Sequence, residues 1–133
     1  MNTQEKLRRK LLKYEQQIFK TIGLETNDYF QSVENNQPLH YLSFGDQKNQ
    51  AIILIHGYGG SAITFYRIIP DLMNHFYVIA VDMLGFGASE RPNFAFDDFQ
   101  KTLSFLQFHL YYFIHFLKIL KLHRFFQILY GFS

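Results

Sequence analysis

The pattern of hydrophobic and polar positions divides the chain into segments of different character. Leu7, Leu11, Tyr14 and Ile18 recur at intervals of four, three and four within residues 3–21. This spacing predicts a helix with one apolar stripe beside a basic face. We expect the helix to pack on the domain or to lead into it. A peripheral membrane contact is the alternative, which ranks second because the helix lacks tryptophan and two glutamates dilute its positive charge.

Strand patterns follow this helix. Residues 29–33 and 39–44 are extended runs separated by the polar sequence ENNQ, which predicts an antiparallel hairpin. Residues 51–56 (AIILIH) form an unbroken apolar run, typical of a strand that is covered on both faces of a parallel sheet. Residues 77–83 (YVIAVDM) and 125–130 (FFQILY) are predicted to form two further strands of this kind.

Helical patterns separate these strands. Ser61 can cap a helix over residues 63–74, with an inner face formed by Phe65, Ile68, Ile69 and Leu72. Pro70 lies inside this span and is expected to kink the helix or divide it in two. A longer helix is predicted over residues 97–122. Strands that alternate with helices indicate the α/β class with a mostly parallel sheet and flanking helices.

The apolar run at residues 103–120 approaches the length of a membrane span. It is interrupted by Gln107, His109, His115 and Lys118. A spanning helix would have to hide these side chains from lipid. We therefore expect a buried or interfacial helix.

Composition narrows the class of partners. The 133 residues carry a formal charge of +2, which does not by itself indicate nucleic acid. The chain has no cysteine, so disulfides, thiol nucleophiles and thiolate metal sites are excluded. The N-terminus lacks the apolar core of a secretory signal. We expect no cofactor and no metal, and an intracellular protein that is soluble or peripheral to a membrane.

A glycine-rich loop, HGYGG, follows the first buried strand at residues 56–60. Cleavage of an ester or amide by a serine passes through a tetrahedral oxyanion, which needs preorganised hydrogen-bond donors. Gly57, Gly59 and Gly60 allow a sharp turn that points peptide N–H groups into the crevice. The loop therefore predicts an oxyanion hole with the N–H of Tyr58 as one donor. A glycine turn that only links strand to helix is the alternative.

The last strand runs into Gly131-Phe132-Ser133. In the nucleophile elbow G-x-S-x-G, a strand turns abruptly into a helix and holds the serine on a strained turn. Gly131 stands two residues before Ser133, where a side chain would clash with the neighbouring backbone. Half of this motif is present, and its position after a buried strand makes Ser133 the candidate nucleophile.

The loop DMLGFGASERP follows the second buried strand. Gly85 and Gly87 are expected to turn the chain there. Asp82 is a poor candidate for the acid of a catalytic triad, because in nucleophile-elbow enzymes the acid follows the serine in sequence. We expect Asp82 to hold the loop.

With these motifs, residues 38–94 resemble the α/β-hydrolase superfamily. More narrowly, they resemble a branch that contains the lipid-droplet coactivator of triglyceride lipase, an N-acyl phospholipase, and plant and yeast acyl hydrolases of cardiolipin or lysophospholipids. HGYGG and D-x-x-G-F-G-x-S-x-R-P carry the resemblance. It implies the N-terminal part of an α/β-hydrolase fold, truncated at the nucleophile elbow. Tyr58 would then line the oxyanion hole, His56 would support its loop, and Ser133 would attack an acyl-ester or lipid substrate.

The resemblance also implies a catalytic acid and a histidine after the elbow, but no residue follows Ser133 and all six histidines precede it. Without a base, a serine hydroxyl is a poor nucleophile. We expect residues 1–24 to form a basic amphipathic helix and residues 25–133 an incomplete, inactive serine-hydrolase domain. A non-catalytic, truncated or regulatory protein in contact with a membrane or lipid droplet is the alternative. A nucleotide-binding domain is disfavoured, because HGYGG is not a phosphate fingerprint.

Overall fold

The computed structural model describes residues 1–34, 36–93 and 97–120, and the backbone of 127–130. Its elements, in chain order, are α1 (Thr3–Thr21), β1 (Asp28–Gln31), β2 (Leu39–Phe44), β3 (Ala51–Ile55), a 3₁₀ helix (Ala62–Phe65), α2 (Ile69–Leu72), β4 (Tyr77–Val81), α3 (Phe99–Ile119) and β5 (Gln127–Tyr130).

The five strands form one sheet in the order β1-β2-β4-β3-β5. β1 and β2 form the predicted antiparallel hairpin, and β2 also pairs antiparallel with β4. β3 pairs parallel with β4 on one side and with β5 on the other. The carboxyl ends of β3, β4 and β5 therefore lie at the same edge of the sheet. The α/β class predicted from the alternation of strands and helices is confirmed.

Two layers of apolar side chains cover the sheet. All five residues of β3 are buried, because both of its faces are covered. One face packs against α1, the 3₁₀ helix and α2 through Phe19, Leu42, Ile52, Leu54, Phe65, Ile69 and Val78. The other packs against α3 through Ile53, Ile55, Ile79, Val81, Tyr112 and Phe116. Burying one such large side chain contributes roughly 1.5–3 kcal/mol, so both layers are substantial sources of stability.

The helix predicted over residues 63–74 is divided in two at Pro70, one of the two outcomes expected. Pro70 lies in the first turn of α2, where a missing N–H removes no helical hydrogen bond. Phe65 and Ile69 are buried as predicted. The assignment of Ile68 to the inner face is wrong, because its side chain is 43% exposed. The break between the two short helices changes the direction in which it points.

The helix predicted over residues 3–21 is confirmed as α1, but its apolar stripe does not face the domain. The buried residues of α1 are Glu15 and Phe19, and the Phe19 ring lies 5.3 Å from that of Phe44. Leu7 and Tyr14 are 61% and 51% exposed. The helix therefore packs through a face about a quarter-turn away from its apolar stripe.

The long helix α3 packs on the sheet through Tyr112, Phe113 and Phe116. Asp98 caps its N-terminus by accepting a hydrogen bond from the N–H of Lys101, 2.8 Å away. The Tyr112 hydroxyl accepts a hydrogen bond from the N–H of Val33 at 3.0 Å, which ties α3 to the end of the hairpin. Within the part of the chain that is described, no helix is long and apolar enough to cross a membrane.

Candidate active site

The candidate site is built from segments that leave the carboxyl ends of the parallel strands, where an open α/β sheet places its reactive crevice. The segment after β3 carries the HGYGG sequence, and the segment after β4 begins with Asp82. The segment after β5 carries Gly131 and Ser133. Both of these predicted residues lie outside the described part of the chain.

The loop after β3, residues 56–61, turns through its glycines. Gly59 has a φ of +77°, a left-handed conformation that side chains disfavour, and the N–H of Gly60 donates to the carbonyl oxygen of Gly57 at 3.0 Å. The side chain of Tyr58 is 89% exposed, with its ring edge toward that of Phe86. The loop thus carries the Tyr58 backbone at the edge of the sheet where the crevice is expected.

His56 connects the two loops. The backbone N–H of Met83 donates to its Nε2 at 3.0 Å, so Nδ1 carries the ring proton and donates to the carbonyl oxygen of Gly57 at 2.8 Å. The edge-to-face ring of Phe86 packs against the imidazole, with ring centroids 5.1 Å apart. Both nitrogens of His56 are therefore engaged in holding backbone in place, as a supporting residue requires.

Asp82 is the central side chain of the loop after β4, residues 82–92. Its carboxylate is fully buried and accepts backbone hydrogen bonds from Ala62 at 2.6 Å and from Ala88 at 2.9 Å. It also accepts one from Nδ1 of His40 at 2.8 Å. One carboxylate thus joins the start of the 3₁₀ helix, the loop after β4 and strand β2.

Gly87 makes this arrangement possible. It has a φ of +53°, and a Cβ added there would overlap the Asp82 carboxylate. Ser89 lies on the other side of the same aspartate: its hydroxyl donates to the carbonyl oxygen of Asp82 and accepts from the N–H of His40 at 2.8 Å. The loop after β4 is therefore wrapped closely around Asp82.

His40 is a central residue of this arrangement that sequence reasoning did not select. Its side chain is fully buried, and its Nε2 lies 2.7 Å from Oδ1 of Asp28. Burial by itself lowers the pKa of a histidine, but hydrogen bonds to Asp28 and Asp82 raise the pKa of His40 to about 9. His40 is consequently an imidazolium at neutral pH, with a carboxylate at each nitrogen.

A third carboxyl, Glu15 of α1, is buried next to these charges. Neither of its oxygens has a hydrogen-bond partner among the described residues. Burial is the main cause that raises its pKa to about 7; the charges of Asp82 and Asp28 contribute to the increase, and the charge of His40 opposes it. We call Glu15, Asp28, His40 and Asp82 the buried charge cluster. In the described chain, no group of three or more His, Asp or Glu side chains is arranged to hold a metal ion.

Arg8 fixes α1 to the loop after β4. Its Nε donates to the carbonyl oxygen of Ala88 at 2.9 Å, and its guanidinium pairs with the carboxylate of Glu90 at 3.2 Å. Gln16 of the same helix donates to Asp28 at 3.0 Å. The helix therefore borders the candidate site, which the position of its apolar stripe did not indicate.

Comparison with known proteins agrees with this architecture. The model of the "alpha/beta hydrolase fold" family matches residues 50–133, which is more than half of the chain. The chain belongs to this family. It is 36% identical over 77 residues to a 1-acylglycerol-3-phosphate O-acyltransferase of Arabidopsis thaliana, covering 56% of the chain and 18% of that protein. It is 34% identical over 77 residues to an uncharacterized hydrolase of Saccharomyces cerevisiae, covering 56% of the chain and 27% of that protein.

The fold itself is shared with a solved membrane phospholipase A from a bacterium. The two structures have a TM-score of 0.58 at 24% sequence identity, covering 85% of this chain and 32% of the phospholipase. This chain thus spans between 18% and 32% of the length of these three proteins. The comparisons establish the family and the fold of the part that is present.

Proposed function

We propose that this chain is the N-terminal part of a serine hydrolase that cleaves acyl esters of lipids. Ser133 is the nucleophile whose hydroxyl oxygen attacks the ester carbonyl carbon. The N–H groups of Tyr58 and of the residue after Ser133 stabilise the oxyanion that forms. The acid and the base that activate Ser133 follow it in sequence, so the 133-residue chain is inactive alone.

The loop after β3 is the observation that carries this proposal. Its glycine turn, with the Gly60 N–H bonded to the Gly57 carbonyl, places the Tyr58 peptide directly after a buried central strand. His56 holds the turn in place: it accepts a hydrogen bond from the N–H of Met83 and donates one to the carbonyl oxygen of Gly57. The buried His56, held in a single tautomer, supports the oxyanion loop over a turn that only links strand to helix.

The proposal of a lipid substrate is based on the functions for which similar proteins are named. The Arabidopsis relative, and a similar protein of Oryza sativa that is 35% identical over 65 residues, are both named for acyl transfer to 1-acylglycerol-3-phosphate. A serine hydrolase and an acyltransferase can share the attack on an acyl carbonyl and differ in the acceptor, which is water or an alcohol. We propose an acyl ester of a glycerolipid as the substrate, as in the branch that the motifs resemble.

Labelling with a fluorophosphonate probe tests the nucleophile. Sequencing the transcript beyond Ser133 should reveal one further residue and then a glycine, with an aspartate and a histidine further on. A protein that includes those residues should be labelled, and Ser133→Ala should remove the label. Ser104→Ala, at an exposed serine of α3, is the matched control and should leave it unchanged.

The 133-residue chain should not react with the probe. A stop codon directly after Ser133 would contradict the enzyme proposal for this gene product and favour the non-catalytic alternative. Labelling that survives Ser133→Ala would contradict the assignment of the nucleophile. Faster hydrolysis of acetyl esters than of long-chain acyl esters would contradict the lipid substrate alone.

A further inference from the structure

The outward surface of α1 carries an apolar stripe that is partly exposed to solvent. Leu7, Tyr14 and Ile18 are 61%, 51% and 40% exposed, and Ile22 continues the row just after the helix ends. With a rise of 1.5 Å per residue, the stripe from Leu7 to Ile18 is roughly 16 Å long. We call Leu7, Tyr14, Ile18 and Ile22 the outer stripe. It lies about a quarter-turn from Glu15 and Phe19, the buried residues of the helix.

Basic side chains flank the outer stripe on its solvent side. The exposed cations of α1 are Lys6, Arg9, Lys10, Lys13 and Lys20, which we call the basic arc. At 100° per residue the basic arc follows the outer stripe around the helix, on the side away from Glu15. The two surfaces meet at Tyr14, because the ammonium of Lys10 lies 5.9 Å from the centre of its ring.

The two glutamates of α1 do not oppose this positive surface. Glu15 is buried in the charge cluster, 3% exposed. Glu5 is paired with Arg8 and with Arg9, each at 3.1 Å, which also lowers its pKa. The sequence objection to a membrane contact, that two glutamates dilute the charge of the helix, therefore does not hold in the folded chain.

We propose that α1 docks the protein on an anionic lipid surface. The outer stripe enters the boundary between headgroups and acyl chains, and the basic arc contacts the lipid phosphates. Charge complementarity selects this occupant, because the surface combines apolar side chains with five exposed cations. Two carboxylates lie beside these cations: Glu5, which is paired with Arg9, and Glu25, which lines a cavity with Lys13 and Lys20. The proposal rests on the surface of α1 and is independent of the esterase activity.

The contacts of Arg8 give this docking surface a position relative to the candidate site. They hold α1 against Ala88 and Glu90 of the loop after β4. A groove of about 310 Å³ runs between the helix and this loop, lined by Gln4, Leu7, Arg8, Leu11, Gly87 and Arg91. A lipid surface at the outer stripe is therefore next to the loop that borders the crevice.

The test is flotation of the 133-residue chain with vesicles in a density gradient, in which aggregated protein sinks. We expect the chain to float with vesicles of phosphatidylcholine and phosphatidylserine, and much less with phosphatidylcholine alone or at high salt. The triple variant Leu7→Gln, Tyr14→Gln and Ile18→Gln should bind roughly tenfold more weakly. The variant Lys10→Glu and Lys13→Glu should lose a similar factor of roughly ten, on the anionic vesicles only.

A variant of α3 is the matched control. Leu106, Leu110 and Ile114 are 58%, 63% and 43% exposed, so Leu106→Gln, Leu110→Gln and Ile114→Gln removes similar exposed apolar area without a basic arc beside it. We expect this control to float like the original chain, and helical circular dichroism should show that each variant folds. Loss of flotation in the α3 variant and not in the α1 variant would overturn the proposal.

Two further outcomes would also overturn it. Equal binding to anionic and neutral vesicles would show that the basic arc has no role. Chemical crosslinking of the chain into dimers, lost in the outer-stripe variant while vesicle binding is unchanged, would show that a second copy of the chain covers the stripe instead of lipid.

Discussion

The two loops that border the candidate site are held in opposite ways. In the loop after β3, Tyr58 points outward at 89% exposure, and the described hydrogen bonds run through His56 and the Gly57 carbonyl. In the loop after β4, Asp82 and Ser89 are fully buried, and Asp82 alone accepts two backbone N–H groups and a histidine. The loop after β3 is exposed at Tyr58, whereas the loop after β4 is held by several hydrogen bonds to the buried Asp82.

This difference indicates that the two loops have different roles, one in contacting a ligand and the other in providing rigidity. An oxyanion loop must present peptide N–H groups to a ligand, so few protein groups can occupy the space in front of it. Its position must nevertheless be kept within a fraction of an ångström. The loop after β4 supplies that rigidity, because Asp82 accepts a hydrogen bond from the N–H of Ala62, just beyond the loop after β3 that we propose as the oxyanion loop.

Among the substitutions that compare the two loops, Asp82→Asn should have the largest effect on stability. It leaves the imidazolium of His40 with only Asp28, and one side-chain oxygen must serve the N–H groups of both Ala62 and Ala88. Removing one partner of a buried ion pair costs about 3–5 kcal/mol. The free energy of unfolding, measured by urea denaturation, should fall by that amount.

Asp46→Asn is the control for this substitution. Asp46 also accepts a backbone hydrogen bond, from Lys48 at 2.9 Å, but it is exposed. Its substitution should cost less than about 1 kcal/mol. An equal loss for both variants would mean that the buried charge cluster contributes nothing beyond an ordinary turn.

A pair of glycine substitutions compares the loops directly. Gly59 and Gly87 both have positive φ, so alanine strains the backbone by about 1–2 kcal/mol at either position. A Cβ at Gly59 meets no atom within 4 Å, whereas at Gly87 it meets the Asp82 carboxylate. Gly87→Ala should therefore cost about 1–3 kcal/mol more than Gly59→Ala in the same denaturation experiment. Indistinguishable midpoints would refute the close packing of the loop after β4.

The pH dependence of stability tests one member of the buried charge cluster, Glu15. The pKa of Glu15 is about 7 in the folded chain and ordinarily 4.5. The folded chain therefore binds a proton that the unfolded chain releases, and stability falls as the pH rises from 4.5 to 7. Glu15→Gln should remove this loss and raise stability at pH 8 by roughly 2–3 kcal/mol relative to the original chain.

The titration of His40 lies mostly above the pH range in which Glu15 titrates. Its pKa is also raised in the folded chain, to about 9, so its contribution is lost as the pH rises from about 6.5 to 9. Glu15 is one of the charges that raise this pKa, so the contribution of His40 differs between the two proteins mainly above pH 6.5. The difference between the two proteins below pH 7 thus reports Glu15. Glu25→Gln, at an exposed glutamate, should show no difference at any pH. Parallel pH profiles for Glu15→Gln and the original chain would contradict the raised pKa of Glu15 in the folded chain.

Much of the fold was predictable because its signals are local. The apolar run at residues 51–55 identified a strand covered on both faces, and Pro70 marked the division of a helix through its missing N–H. The glycines of HGYGG marked the turn after β3 for the same reason, since Gly59 adopts a positive φ that other residues disfavour.

The buried charge cluster was not predictable because its members meet only in the folded chain. His40 and Asp82 are separated by 42 residues, and nothing near either residue indicates the other. Glu15 lies on a helix whose apolar residues suggested a different packed face. Hydrophobic periodicity assigns the apolar side of a helix to the core, and here long-range contacts of Arg8, Glu15 and Phe19 determined the packed side.

The bond between Arg8 and Ala88 has a consequence for how the chain is made. It joins residues 80 positions apart, so α1 leaves the ribosome long before the loop that receives it. At about 5–20 residues per second, synthesis of that interval takes roughly 4–16 s. Throughout that time Arg8 has no partner in the loop after β4, although Asp28 and Phe44, which contact Gln16 and Phe19, are made earlier. The helix-forming tendency of α1 by itself is marginal at this length. The contact between Arg8 and the loop after β4 is therefore among the last contacts of α1 to form.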